Sequence, residues 1–338
     1  MRTVELERPP RLGGLYLRAL AGLLPGRGGG GERVPDTELV VRGVRAEGAR
    51  LVAYARVCGF ALTGTLPATY PHVLAFPLAL KLMTAPDFPF PPTGVVHLAN
   101  RIEVRRPVRD AEALDLAVRV ENLRAHPRGR QLDVVATATV DGVEVWRDVS
   151  TYLRRERTAA DAAGEGPPAS TAGEGPPAST AGADGAPAAA ERGDGPPAAP
   201  GGGGAPATDG GGQRRGRTAE PEGTPPEPTA VWRVAADTGR AYAAVSGDRN
   251  PIHVSNLAAR AFGFRRRIAH GMWTMARCLA QLAPKLPEAY VVDVTFRSPI
   301  LLPSTVHFHA APEPDGWRMS VTGATSGRTH LAGRVTRI

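Results

Sequence analysis

His270-Gly-Met-Trp-Thr-Met-Ala-Arg-Cys-Leu-Ala-Gln-Leu-Ala283 reads as a helix stopped by Pro284. Met272, Met275, Ala276, Leu279 and Leu282 recur at helical spacing, and Trp273 widens the apolar surface. A helix apolar over so much of its girth must be wrapped by other structure. Strand-like runs follow at Tyr290–Leu302, Thr305–Ala311, Trp317–Thr322 and Arg328–Ile338.

Upstream, Val231–Val245 leads into Ser246-Gly-Asp-Arg-Asn-Pro-Ile-His253, and Ser255 can cap a short helix ending near Gly263. Glycine at 247 permits open backbone geometry, and Pro251 holds Asn250 extended. A carboxylate (Asp248), an amide (Asn250) and an imidazole (His253) can therefore converge on one volume, as acid–base chemistry requires. A second bend, Ala269-His270-Gly271, opens the long helix.

The first half follows a similar order. Glu38–Val44 and Arg50–Val57 read as strands, and Phe76–Met83 as a helix with Pro77 near its start and Pro86 beyond its end. Strands are expected at Gly94–Val104, Ala113–Glu121 and Gln131–Val140, the last paired with Val143–Leu153 through the hairpin signal Asp141-Gly142. One buried helix followed by long antiparallel strands suggests an α+β fold in which a sheet curls around the helix. This is the hot-dog architecture, here in two tandem copies pairing as a pseudo-dimer.

Between the halves, 158–228 is rich in Gly, Pro, Ala and Glu, and AGEGPPAST at Ala163–Thr171 is repeated at Ala172–Thr180. Such a segment cannot form a core and is expected to be a disordered tether with a span of roughly 40–50 Å. The expected division is therefore 1–157, 158–228 and 229–338. The chain carries a net charge of +8, and its basic residues are arginine except for Lys81 and Lys285. With ten acids and four arginines in 158–228, the remainder carries +14, which favours an anionic partner. No nucleic-acid-binding motif appears, so a phosphate-rich small ligand or an acidic carrier protein is expected instead. Cys58 and Cys278 match no metal or disulfide spacing, which suits a reduced, cytoplasmic setting. Met1–Pro10 lacks the apolar core of a secretory signal. Leu12–Leu24 is too short to span a membrane and reads as a surface or docking helix.

Tyr242-Ala-Ala-Val-Ser-Gly-Asp-Arg-Asn-Pro-Ile-His253, followed by Ile268-Ala-His-Gly-Met272, resembles the signature of the MaoC-like family, the R-specific enoyl-CoA hydratases and related acyl-thioester dehydratases. Phe296-Arg-Ser-Pro-Ile300 fits the same pattern. The likeness covers Trp232–Ile338. The first half resembles the degenerate repeat of two-repeat members, with Tyr70–Pro77 in place of Ile268–Gly271. The resemblance implies hydration of a trans-2-enoyl thioester of coenzyme A or a carrier protein, or the reverse dehydration, with no metal and no redox cofactor. It assigns Asp248 and His253 to the reacting water. Asn250 is suited to hold the water or the turn, and the backbone N–H at Gly271 is a candidate oxyanion donor.

Plainer readings stand beside these. Gly-Asp and Asn-Pro are common turn dipeptides. His270 can pack or cap the helix rather than touch substrate, and Tyr242 can be a pocket wall or core aromatic. His307 and His309 share a strand face without a third metal ligand, while Asp248, His253 and His270 form a chemically feasible metal trio that the resemblance disfavours. No Asp or Glu lies between Gly48 and Pro86, so His72 is expected to stand without an acid partner, leaving one active site in the second half. Rival readings are a 3-hydroxyacyl-carrier-protein dehydratase, a non-catalytic acyl-thioester-binding subunit and a thioesterase. A homodimer of pseudo-dimers is a further option.

Overall fold

The computed structural model describes residues 1–21, 31, 33–91, 94–155 and 227–338. The expected tether at 158–228 lies outside the described residues, save Glu227 and Pro228. In the first half the order is β1 (Arg2–Leu6), α1 (Leu12–Ala21), β2 (Thr37–Val44), α2 (Gly48–Cys58), α3 (Tyr70–Met83), β3 (Val95–Val104), β4 (Leu114–His126), β5 (Gly129–Val140) and β6 (Val143–Arg155). The second half has β7 (Ala230–Val234), α4 (Thr238–Ser246), α5 (Pro251–Val254), α6 (Asn256–Ala261), α7 (Gly271–Leu282), β8 (Tyr290–Phe296), β9 (Ser304–Glu313), β10 (Gly316–Gly323) and β11 (Thr329–Arg337).

One sheet of eleven strands runs β1-β2-β4-β5-β6-β3-β8-β11-β10-β9-β7. Among the described residues only β1 and β2 pair in parallel. The halves join where β3 meets β8 antiparallel, Ala99 facing Thr295 and Val104 facing Tyr290. The seam is thus ordinary sheet hydrogen bonding, and the halves share one apolar core that includes residues of both long helices. In α7, Met275, Ala276 and Cys278 are wholly buried, as its sequence demands. The Trp273 indole crosses to the first half and donates to the Val57 carbonyl at 3.0 Å. The architecture is a tandem double hot-dog with a curled, unclosed sheet.

Several expected elements need correction. Arg50–Val57 is helical, because the wholly or almost wholly buried Leu51, Tyr54, Ala55 and Cys58 follow a 3.6-residue period, and Gly59 closes the helix at φ 81°. Helix α3 starts six residues earlier than expected, with Pro71 in its first turn and Pro77 in its interior. The ten buried residues of this helix outweigh the hydrogen bond that Pro77 forfeits. The strand expected over Tyr290–Leu302 ends at Phe296, beyond which Ser298-Pro299 breaks the ladder. The hairpin at Asp141-Gly142 forms with φ of 50° and 79°, both in the left-handed region its turn requires. Ser255 caps α6 by accepting from the Ala258 N–H. Among the described residues no helix is long and apolar enough to cross a membrane.

Candidate active site

Helix α4 ends at Gly247, whose φ of 84° turns the chain sharply and presents Asp248. The Asp248 N–H donates to Ser246 Oγ, and Asp248 Oδ1 accepts the Asn250 N–H at 3.1 Å. Asn250 caps α5, its Oδ1 facing the Ile252 N–H at a long 3.5 Å, so its side chain shapes the turn. One turn later, His253 Nδ1 lies 2.9 Å from the Ile268 carbonyl. A carbonyl can only accept, so Nδ1 carries the proton and Nε2 keeps its lone pair.

His270 lies over this ring, the centroids 3.6 Å apart and the planes 26° from parallel. Its Nε2 donates to the Asp248 carbonyl at 3.0 Å and stands 3.8 Å from the carboxylate. Tyr242 backs His270 at 4.8 Å and is 2% exposed. Gly271 begins α7, where the first N–H groups have no intrahelical acceptor. A Cβ there would meet the Phe296 ring at 3.0 Å.

Burial depresses the pKa of His253, with Asp248 opposing only in part. Burial likewise lowers His270, helped by His253, to about 3. Both rings are therefore neutral at neutral pH. Burial penalises the Asp248 carboxylate, but His270, His253 and the Asn250 N–H outweigh it and hold its pKa below the ordinary range. A neutral imidazole with a free lone pair thus sits beside an ionised carboxylate, an arrangement able to accept a proton.

The turn is braced by residues that the sequence reading passed over. Tyr16 of α1 donates to the Gly247 carbonyl and accepts from the Arg249 N–H, both at 2.7 Å, bracketing Asp248. Arg50 of α2 donates to the carbonyls of Val245 and Ser246. The expected docking helix therefore docks on the acid-bearing turn. The expectation for His72 fails: its Nδ1 lies 2.6 Å from Asp148 Oδ2, an acid carried by β6, far in sequence from Gly48–Pro86. Strand alternation, which turns Trp146, Asp148 and Ser150 inward together, was the available signal.

The candidate site opens on a cavity of about 480 Å³ lined by both halves, including Asp248, His253, His270 and Gly271 from one and His72, Phe76 and His97 from the other. Asn250 and Tyr242 also line it, with Arg128, Arg155 and Arg297. Asp248, His253 and His270 each offer one ligand atom within 4.8 Å of the others. His307 and His309 pack edge to face on β9 at 6.2 Å, away from this set.

The family described as MaoC like domain matches residues 217–328. The 3-hydroxyacyl-thioester dehydratase X of Mycobacterium tuberculosis is 33% identical over 319 residues, covering 94% of this chain and 95% of that protein. The chain belongs to the MaoC-like dehydratase family. A crystal structure of HtdX from Mycobacterium tuberculosis superposes with a TM-score of 0.67 at 30% identity, covering 89% of this chain and 100% of that one. A MaoC-like dehydratase from Phytophthora capsici, 17% identical, shares the fold with a TM-score of 0.61 over 90% of this chain and 96% of that one. As a MaoC-like dehydratase the chain is a hydro-lyase.

Proposed function

We propose that this chain interconverts trans-2-enoyl and (R)-3-hydroxyacyl thioesters, using a water activated jointly by Asp248 and His253. The observation that carries the reading is the tautomer of His253. With Nδ1–H committed to Ile268, the Nε2 lone pair and the Asp248 carboxylate are left to face one reacting molecule. In hydration, these groups take a proton from water as its oxygen bonds to C3. The electron pair of the double bond moves toward the thioester oxygen, and a proton is then delivered to C2, so that one water is added in all. The N–H of Gly271, at the positive end of α7, is the donor that would hold the negative oxygen. Asn250 fixes the turn, and His270, with Tyr242 behind it, fixes the ring of His253.

In this reading the catalytic half is 229–338, and 1–157 is the repeat that lost its own Asp-x-Asn-x-x-His turn. The acyl chain lies along Phe76, Leu80 and Met83, which line the cavity from one face of α3. Arg128, Arg155 and Arg297 suit the phosphates of coenzyme A or of a phosphopantetheine carrier. The test is hydration of crotonyl-CoA and of a long-chain enoyl-CoA by purified protein, followed by absorbance, with chiral analysis of the product. No hydration, or an (S) product, overturns the reading.

A further inference from the structure

Three neighbouring strands, β6, β3 and β8, each turn one ring into the cavity. Tyr152 follows the inward alternation of Asp148 and Ser150 on β6, and Phe296 that of Val292 and Val294 on β8. On β3 the alternation is broken. Asn100 and Ile102 face inward and Arg101 outward, so strict alternation would place His97 on the outer face with Arg101. The register against β6 shifts between His97 and Ala99, and such a bulge re-aims a side chain. His97 therefore joins the cavity lining, stacked on its strand partner Tyr152 at 4.6 Å, with Phe296 leaning on it at 5.0 Å. Burial pushes the His97 pKa down to about 3, so it packs as a neutral ring.

The row of rings ends against Gly271. Cε1, Cδ1 and Cζ of Phe296 lie 3.0–3.1 Å from where a Gly271 Cβ would stand. A Cβ sits about 2.5 Å from its own nitrogen, so this ring edge lies within about 5.5 Å of the Gly271 nitrogen. A thioester oxygen held by that N–H is about 2.9 Å away, which puts C2 of the acyl group about 5 Å from the same nitrogen. Ring edge and C2 therefore share one small volume. Conjugation keeps the carbonyl carbon, C2 and C3 of an enoyl thioester in one plane. A substituent on C2 is fixed in that plane and cannot swing aside, whereas groups from C4 onward turn about single bonds. Nor can the Phe296 ring easily recede, because His97 and then Tyr152 stand behind it.

We propose that Phe296, backed by His97 and Tyr152 of the first half, is the specificity-determining wall at C2, and that the enzyme selects enoyl thioesters unbranched at that carbon. This rests on the thioester chemistry proposed above and adds the shape of the substrate at its reacting end. It also gives the first half a task at that end, since two of the three rings belong to it.

The test compares kcat/KM for crotonyl-CoA, for its 2-methyl analogue tigloyl-CoA and for trans-4-methylpent-2-enoyl-CoA, whose branch lies beyond the planar unit. A 2-methyl group also lowers intrinsic reactivity, so the reading is how the crotonyl-to-tigloyl ratio changes between variants. Any general loss of activity cancels in that ratio. Phe296→Ala should lower it by about 10–200-fold, the usual discrimination of a pocket against one added carbon. Phe296→Leu, the milder change should the alanine variant not fold, should lower it by less. His97→Ala, which lets the Phe296 ring recede, should lower it in part. The preference for crotonyl-CoA over the 4-methyl substrate should hold in all three. A ratio unchanged in the Phe296 variants, or one that moves equally for both branched substrates, overturns the proposal. Binding in the wild type gives a second reading: tigloyl-CoA should compete with crotonyl-CoA at least about 10-fold less tightly than the 4-methyl substrate does. Equal competition overturns the proposal. Wild-type protein that hydrates no enoyl thioester refutes the underlying reaction, and this assignment falls with it. An active wild type that takes both branched substrates alike refutes only the wall at C2.

Discussion

Gly239→Ala tests how tightly the acid–base pair is positioned without touching either member. Gly239 lies in α4, and a Cβ built there would stand 2.2 Å from the backbone carbonyl oxygen of His253 and 3.1 Å from its carbon. Real Cβ atoms essentially never approach within 3.0 Å, so α4 and α5 must separate by about 0.8 Å. Overpacking of this kind costs about 1–3 kcal/mol, a fraction of the roughly 5–15 kcal/mol that holds a domain folded. The protein should therefore fold, with a lowered melting temperature. The displaced backbone carries the His253 ring, and a misplacement of about 1 Å can cost about 10²-fold in rate. We expect kcat for enoyl-thioester hydration to fall by about that factor while KM changes far less. Gly48→Ala, facing open space at the start of α2, is the matched control and should leave both parameters alone. A Gly239→Ala enzyme with native kcat would show that α5 can shift without moving the chemistry, and the positional argument would fail.

Tyr16→Phe removes both hydrogen bonds that bracket Asp248, each worth about 0.5–1.5 kcal/mol. The expected outcome is a lower melting temperature together with a lower kcat, and a kcat equal to wild type would refute the bracing role. Asp248→Asn and His253→Ala should each lose about 10²–10⁴ in kcat. The double variant should be little worse than either single one, because both groups act on one water; multiplied losses in steady-state assays would separate their roles. His270 and His97 are held neutral with folded pKa values near 3, below the roughly 6.5 of an unfolded histidine. The unfolded chain therefore binds more protons across this window, and stability should fall as pH drops from about 6.5 toward 3. Calorimetric melting across that range checks this, with His270→Gln expected to flatten the slope; a pH-independent wild type would contradict it.

The sequence made the second half legible because its signals are local. The 3.6-residue stripe of α7, the Ser255 cap and the Asp248-to-His253 turn all lie within a few residues of their structural consequences. The first half was harder. Leu51, Val52, Ala53, Tyr54 and Ala55 are small or apolar on every side, so strand and helix periods compete until burial of Tyr54 and Cys58 decides. Pro77 mimics a helix start, and only tertiary packing shows that α3 runs through it. Contacts that cross the chain had little local signature beyond the inward alternation of β6. Tyr16 lies 231 positions from Gly247, and Asp148 lies 76 from His72. The residues flanking His72 carry no acid, so its partner becomes visible only where β6 lies beside α3.

Because the sheet is curled but not closed, it ends, among the described residues, at two edge strands, β1 and β7, each five residues long. Both carry charge: Arg2 and Glu5 on one, Arg233 on the other. Short, charged borders are poor templates for a further strand, so neither invites a second molecule to extend the ladder. Growth of the sheet was in effect used up inside the chain, at the β3–β8 seam where two separate subunits would otherwise meet. Such borders favour association through side-chain surfaces over continued backbone pairing, and the β3–β8 pairing lies in the interior of the sheet.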